Sequence, residues 1–186
     1  MGRVYLEYIV RAEEIILAMG HKLKNIPVIV CVGSAGVSGD SLGPLVGELL
    51  IEKYNVPAYV YGSLSRPVNG VNYEDYVEFI RRRHRGSIVI AVDACVGEKS
   101  DVGKVKISSK GLTAGGALNK NLRRVGDIGI LGVVSEKQDD NLMSLMSVPF
   151  MFVDGMSREI AAKINKLIQR LNGVFPSSVN KHTTNT

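Results

Sequence analysis

Cysteine is scarce in this chain, which excludes two classes of small stabilised domain. Only Cys31 and Cys95 occur among the 186 residues, too few for a disulfide scaffold or a zinc-ribbon set. Six prolines and 20 glycines are also too few for collagen-like or proline-rich disorder. With 45% hydrophobic residues, the chain is long enough to bury one sizeable core and short for two domains. The low cysteine count favours a reducing compartment.

Long apolar runs are missing as well. Apolar residues in the stretch 4–16 recur at helical spacing, but Glu7, Arg11, Glu13 and Glu14 interrupt them. A secretory signal would not contain such charges in its apolar region. No run reaches the length that spans a bilayer. We therefore predict a cytoplasmic protein that makes no contact with a membrane.

Positive charge is in slight excess, with a net charge of +5 at pH 7. The excess is local, because it comes from the end of one predicted helix and from the last helix with the tail (Arg81, Arg82, Arg83, Arg85; Lys163, Lys166, Arg170, Lys181). Arginines at the C-terminal end of a helix complement its dipole. We therefore expect a solvated helix end there and no direct binding of nucleic acid.

Short apolar runs alternate with helical repeats along the chain. Strands are predicted at 28–32, 58–61, 87–92, 102–107, 127–134 and 149–153, and helices at 42–50, 73–83 and 158–171. This alternation predicts a three-layer α/β/α domain with a mainly parallel central sheet. The single domain is expected to span residues 1–172. Residues 173–186 show no periodicity and are expected to form a disordered tail.

A glycine-rich turn follows the first predicted strand, at the edge where open α/β sheets bind ligands. Gly33, Gly36 and Gly39 would let backbone N–H groups approach a substrate closely. A Walker A loop would require a lysine, which the turn does not contain. A dinucleotide-binding loop would require G-x-G-x-x-G and an acid after the second strand, whereas the spacing is G-x-x-G-x-x-G and no acid follows. Ser34 and Ser41 lie in no G-x-S-x-G elbow.

Two aspartates follow buried strands. Asp40 precedes the helical stripe, with Pro44 in the first turn, and Asp93 comes directly after strand 87–92. Simple interpretations are an N-cap for Asp40 and a turn-initiating residue for Asp93. If the two strands are neighbours, however, both carboxyl groups lie in one crevice, where their repulsion raises one pKa. Such a pair could act as base and acid on a water and a carbonyl, or hold a divalent cation.

Other reactive side chains carry weaker signals. Cys31 and Cys95 lie in or beside buried strands and are predicted to be inert thiols, since no histidine lies in a motif with either. Asp127 begins a predicted strand and is either a turn residue, the interpretation we favour, or a third acid at the rim of the crevice. Asn119 and Lys120 belong either to a solvated loop or to the crevice, where they could polarise a carbonyl.

Four segments together resemble the YyaC family of sporulation proteins, which is similar to the spore germination protease. They are GDSLGPLVG (39–47), VYGSLSRPVNGVN (60–72), VDACVG (92–97) and VGDIGILGVV (125–134). The germination protease is an aspartic-type endopeptidase that degrades small acid-soluble, DNA-binding spore proteins. It shares its fold with the hydrogenase maturation endopeptidases, and the resemblance implies the same phosphorylase/hydrolase-like fold for this chain.

The resemblance also implies roles for individual residues. Asp40 and Asp93 match the two catalytic aspartates, and the stretch 111–120 (GLTAGGALNK) resembles a glycine-rich stretch of the protease, with Ala114 where proline is usual. The residues implied to shape the crevice or bind substrate are Gly33, Ser34, Gly36, Gly39, Ser41, Gly115, Gly116, Asn119 and Lys120. No cofactor is expected. A divalent metal, if one is bound, would be held by Asp40 and Asp93, but no histidine lies in a motif to act as third ligand.

The leading hypothesis is therefore a germination-protease-like hydrolase that cleaves a protein or peptide, with small acid-soluble spore proteins as the candidate substrates and the forespore cytoplasm as the candidate location. One alternative is a non-enzymatic sporulation protein that uses the same crevice for binding. Another is a metal-dependent maturation endopeptidase. A homo-oligomer is compatible with all three hypotheses.

Overall fold

A mainly parallel five-stranded sheet forms the centre of the structure. The computed structural model describes residues 12, 14–18, 25–114 and 122–171. The strands of the sheet are β1 (Val28–Cys31), β2 (Tyr59–Tyr61), β3 (Val89–Gly97), β4 (Val105–Ser108) and β7 (Ile128–Glu136). They lie in the order β2-β1-β3-β7-β4, and only β4 runs antiparallel to its neighbour. A second, two-stranded antiparallel sheet consists of β5 (Leu112–Thr113) and β6 (Arg124–Val125).

Between residues 25 and 171, as far as the structure describes them, four helices connect or follow these strands. Helix α1 (Leu42–Glu48) begins after a 3₁₀ turn at Gly39–Ser41 and continues as a π-helical segment at Leu49–Lys53. The others are α2 (Tyr73–Arg83), α3 (Asn141–Met146) and α4 (Phe150–Leu171). Among the described residues, no helix is long and apolar enough to cross a bilayer.

The helices cover both faces of the sheet, because successive strand residues point to opposite sides. Ile29 and Cys31 of β1 face a core built with α1 and α4. Val28 and Val30 face a second core built with α2 and the small sheet. All four of these β1 side chains are buried. The predicted three-layer α/β arrangement is confirmed.

One predicted strand is wrong. The apolar run at 149–153 belongs to helix α4, which begins at Phe150 rather than at residue 158. The Pro149 carbonyl accepts hydrogen bonds from the backbone N–H groups of Phe152 and Val153, which start the first turn. Val153 and Met156 are buried and extend the helical stripe of α4 toward its N-terminus. Such a short apolar run fits a strand and a buried helical turn equally well.

The predicted end of the third strand also needs correction. Strand β3 continues through Asp93 to Gly97 instead of ending before the aspartate. Its partner β7 is equally long and pairs with it as far as Glu136. The other neighbour, β1, pairs with β3 only up to Cys31 and Val92. Asp93 is therefore inside its own strand but just beyond the end of the adjacent one.

Helix α1 lies directly on the backbone that follows β1 and β2. A Cβ on Gly43 would come 2.0 Å from the Val32 carbonyl oxygen, and one on Gly47 would come 1.8 Å from that of Gly62. Backbone oxygens so close leave no space for any side chain. These two glycines bring the N-terminal end of α1 against the carboxyl edge of the sheet.

We predict opposite effects for two glycine-to-alanine substitutions in helices. Gly47→Ala should lower the free energy of unfolding by at least about 2 kcal/mol, since its methyl group overlaps backbone that cannot move away. Gly155→Ala should leave it unchanged or raise it by up to about 1 kcal/mol, because nothing lies near the added Cβ and alanine is the better helix former. Urea unfolding measures both. If the two substitutions changed the free energy of unfolding equally, the close packing of α1 on the backbone would be contradicted.

Candidate active site

Asp40 lies in the turn that connects β1 to α1, at the carboxyl edge of the sheet. The Gly33 N–H donates to the Val68 carbonyl over 2.8 Å, and the Ser34 N–H donates to the Asp40 carbonyl over 3.2 Å. A Cβ on Gly33 would come 2.0 Å from that Asp40 carbonyl oxygen, and its φ of 144° is a value that glycine favours. The turn is thereby folded back on itself and holds Asp40 above the end of β1.

Asp93 is one of the few charged or polar residues of the sheet that are buried. Its exposed fraction is 6%. In register it lies opposite Leu131 of β7, while β1 has already ended on the other side. Its Oδ1 accepts a hydrogen bond of 2.8 Å from the Ala94 backbone N–H. On the β1 side, Asp93 therefore has no strand partner, and the turn that carries Asp40 follows β1 at the same edge of the sheet.

The two carboxyl groups influence each other electrostatically. Burial raises the pKa of Asp93 well above its ordinary value, and the negative charge of Asp40 raises it further. Burial also raises the pKa of Asp40, but the Ser34 backbone N–H acts in the opposite direction. Asp93 is therefore the member that keeps its proton more strongly, and Asp40 the member that ionises more readily. This asymmetry matches an acid and a base in one site.

The N-cap interpretation of Asp40 finds no support in the described residues. The N-cap position of the 3₁₀ turn is Ser38 and that of α1 is Ser41, and neither start has a side-chain capping hydrogen bond. Asp40 lies between them, within the turn, half-buried. Its carboxyl group is free of the capping role that would have explained it without chemistry.

The other candidate residues of the glycine-rich turn lie around Asp40. Ser41 is buried, and its hydroxyl donates to the Ser38 carbonyl over 2.6 Å. Gly39 touches helix α3, where an added Cβ would come 2.7 Å from the Leu145 carbonyl oxygen. The Ser34 hydroxyl accepts from the Gly36 N–H over 3.3 Å. The remaining candidates fall outside the described residues: Gly115, Gly116, Asn119 and Lys120.

Tyr73, the first residue of the helix predicted at 73–83, is a neighbour of Asp93. It is the first residue of α2 and is buried, and its hydroxyl donates to the Arg123 carbonyl over 2.7 Å. Burial raises its pKa to about 12, and the charge of Asp93 contributes to the shift. Helical periodicity explains an inward tyrosine completely, so the sequence held no signal for its position beside Asp93.

The segment 60–72, one of the four segments that carry the resemblance, contacts the chain at the end of β1. Val68 bridges to Val32 next to the end of β1. Asn72 ties the segment together, since its side chain accepts from the Asn69 N–H and donates to the Pro67 carbonyl. The sequence did hold a signal for this turn, since Pro67, Asn69 and Asn72 are residue types that favour ordered turns.

The remaining reactive side chains do not join the pair. Cys95 follows Asp93 by two residues, but burial and the Asp93 charge raise the pKa of its thiol to about 11, as expected of an inert cysteine. Asp127 lies at the amino end of β7, where its side chain accepts a hydrogen bond from the Val89 N–H over 2.9 Å. It is thus a turn residue at the opposite edge of the sheet.

The donor set around the pair is poor for a resident metal. Within the described parts of the chain, no three His, Cys, Asp or Glu side chains come together in a group that could hold an ion. Asp40 and Asp93 would supply two oxygens, and the nearby Cys95 thiol resists deprotonation. We derive no chemical step from a metal.

Comparisons with known proteins agree with this fold. The family model described as "Protein of unknown function (DUF1256)" matches residues 6–163. The uncharacterised protein YyaC of Bacillus subtilis (strain 168) is 38% identical over 138 residues, which is 70% of this chain and 67% of the relative. The crystal structure of a [NiFe] hydrogenase maturation protease, HycI, from Thermococcus kodakarensis KOD1 superposes with a TM-score of 0.54 at 20% identity. That match covers 78% of this chain and 94% of the other.

We predict that Asp93→Asn stabilises the protein at neutral pH. The folded-state pKa of Asp93 lies well above its ordinary value of 3.8, so the folded chain binds this proton more tightly than the unfolded chain. The stability due to the protonated form is complete at low pH and is lost as pH rises through the raised pKa. The variant should therefore gain stability over wild type at pH 7 and much less at pH 4.

Urea unfolding at the two pH values measures this difference. The exposed Asp139, which lies outside the pair, provides a matched control as Asp139→Asn. A gain at Asp93 that is equal at both pH values would contradict the raised pKa.

Proposed function

This chain belongs to the protein family described as "Protein of unknown function (DUF1256)", and from the geometry of its two aspartates we propose that it is an aspartic-type endopeptidase acting on protein substrates. The observation that carries the proposal is the buried Asp93, whose pKa is raised in part by the charge of Asp40. Burying an acid beside a second acid costs stability, and groups with such perturbed pKa values cluster at functional sites. The hydrogenase maturation protease adds that this fold can carry peptidase activity.

In the proposed mechanism, the two carboxyl groups have different roles. Asp93, which retains its proton, donates a hydrogen bond to the carbonyl oxygen of the scissile peptide. Asp40, ionised and supported by the Ser34 N–H, accepts a proton from the attacking water. Asp93 passes its proton to the carbonyl oxygen as the water oxygen bonds to the carbonyl carbon. The tetrahedral intermediate then collapses: Asp40 gives the proton that it took from the water to the leaving amine, the C–N bond breaks, and Asp93 recovers its proton from a hydroxyl of the intermediate. No covalent enzyme intermediate forms, and the two aspartates exchange protonation states during the cycle.

The surroundings of the pair fit a polypeptide substrate. The pair lies at the carboxyl edge of the sheet, where the segment 60–72 contacts the glycine-rich turn. In the turn, Gly36 is exposed and leaves backbone uncovered for an extended peptide. We place the activity in spore formation, in the forespore cytoplasm, with small acid-soluble spore proteins as substrates, on the resemblance of the four sequence segments to the germination protease.

We predict that single substitutions of either aspartate abolish cleavage of a purified small acid-soluble spore protein. Asp40→Asn removes the base and Asp93→Asn removes the acid, so each should lower kcat by about 10²–10⁴-fold. Mass spectrometry of the products measures the rate and locates the cleaved bond. Asp139→Asn should cleave at the wild-type rate.

Two results would reject the peptidase. One is cleavage by folded Asp40→Asn or Asp93→Asn at the rate of wild type. The other is binding of the spore protein by wild type without any cleavage, which would identify the crevice of a non-enzymatic sporulation protein. Cleavage by wild type that requires added Ni²⁺ and stops in EDTA would instead identify a metal-dependent endopeptidase.

We also predict a bell-shaped dependence of kcat on pH. Activity rises as Asp40 ionises, above the ordinary value of 3.8 because its pKa is raised. It falls again as Asp93 loses its proton at a higher pH. Steady-state rates across the pH range measure both limbs. A rate that keeps increasing with pH would show that no protonated carboxyl group is needed.

A further inference from the structure

Aromatic side chains form an exposed cluster far from the aspartates, on the α2 side of the sheet edge. Tyr59 and Tyr61 of β2 point to the same face and meet Phe79 and His84 at the end of α2. Tyr59 is 43% exposed and Phe79 is 45% exposed. Because α2 begins at the carboxyl edge with Tyr73 and runs back toward the amino edge, its end lies away from Asp93.

The rings of this cluster hold one another in place. The centroid of His84 lies 4.6 Å from that of Tyr59 and 5.5 Å from that of Tyr61, and Phe79 lies 5.7 Å from Tyr61. The Tyr61 hydroxyl and His84 Nε2 form a hydrogen bond of 2.6 Å. Burial and the charge of Arg83 lower the pKa of His84, so its ring is neutral at pH 7. A preformed surface of flat rings loses little entropy when another ring stacks on it.

Arginines follow Phe79 along the end of α2. Arg81, Arg83 and Arg85 are exposed, and His84 lies between the last two in the chain. Arg83 is close enough to influence the pKa of both Tyr61 and His84. In the described part of the chain, Arg83 and Arg85 form no ion pair, whereas Arg82 pairs with Glu78.

We propose that this surface, formed by Tyr59, Phe79, His84, Arg83 and Arg85, binds single-stranded nucleic acid. Exposed rings stack on unpaired bases, and arginines beside them neutralise the phosphates. A duplex would not offer its base faces to such rings. This inference goes beyond the proposed peptidase. It replaces two expectations from the sequence, that the arginines form only a solvated helix end and that the chain binds no nucleic acid directly. Periodicity could not show that Tyr59 and Tyr61 lie against them.

Charge also argues against a second copy of the chain as the occupant. Strand β2 is an edge strand, and a two-fold interface through it would bring identical patches together. The unpaired arginines of the two copies would then oppose each other, as charges commonly do at protected sheet edges. A polyanion is complementary to the same surface.

The test is fluorescence anisotropy of a labelled oligodeoxythymidine of about 15 nucleotides, a length that such surfaces cover. Phe79→Ala should weaken binding about fivefold or more, whereas Phe79→Trp, which can still stack, should bind like wild type. Arg83→Ala should weaken binding and reduce the slope of log Kobs against log salt by about 0.7. Circular dichroism of each variant establishes that it is folded.

Matched controls lie on other faces of the molecule. Phe150 at the start of α4 is 54% exposed, and Lys137 after β7 is exposed, so Phe150→Ala and Lys137→Ala should bind like wild type. The proposal is overturned if wild type does not bind, if the controls weaken binding equally, or if inorganic polyphosphate competes as well per phosphate as the oligonucleotide. Self-association that Phe79→Ala abolishes would also overturn it. Asp40→Asn should bind the oligonucleotide like wild type. Failure of the peptidase proposal would therefore not affect the test of nucleic-acid binding.

Discussion

The rest of the site depends on one close contact, that between helix α1 and the backbone at the ends of β1 and β2. Gly43 and Gly47 lie where any Cβ would overlap a carbonyl oxygen. A larger residue would push the helix outward and move the preceding turn, with Asp40, away from the sheet. Since protein interiors are close-packed and transmit such shifts, the position of Asp40 relative to Asp93 depends on two residues without side chains.

The burial of Asp93 has opposite consequences for stability and for chemistry. A carboxyl group within a strand costs stability when it ionises, and the neighbouring Asp40 adds to that cost. The same surroundings raise the pKa of Asp93 and so favour its protonated form, which acid–base catalysis on a peptide requires. Hydrogen bonds from backbone N–H groups partly offset the cost of burying the two charges: Ala94 donates to Asp93, and Ser34 lowers the pKa of Asp40. The fold thus holds a strained pair with little support from cationic side chains in its described part.

The aspartates and the aromatic surface use different parts of one helix. Tyr73 at the start of α2 lies beside Asp93, and His84 directly after its end lies among the exposed rings. Between them, Val77 and Ile80 are buried and hold the helix on the sheet. The two proposed binding places thus lie at opposite ends of α2, so a polypeptide at one would leave the other uncovered.

The sequence alone determined the alternation of strands and helices, because burial on both sheet faces leaves continuous apolar runs and burial of one helix face leaves a stripe. The bounds of α2 and the aspartates that follow buried strands could be read from it. It could not distinguish a strand from a helical turn at Pro149–Val153, since five apolar residues suit both. Only the tertiary structure decided which strands are neighbours, and therefore that Asp40 and Asp93 influence each other and that Tyr59, Tyr61 and His84 meet. These contacts join residues far apart in the chain, and local periodicity contains no information about such distances.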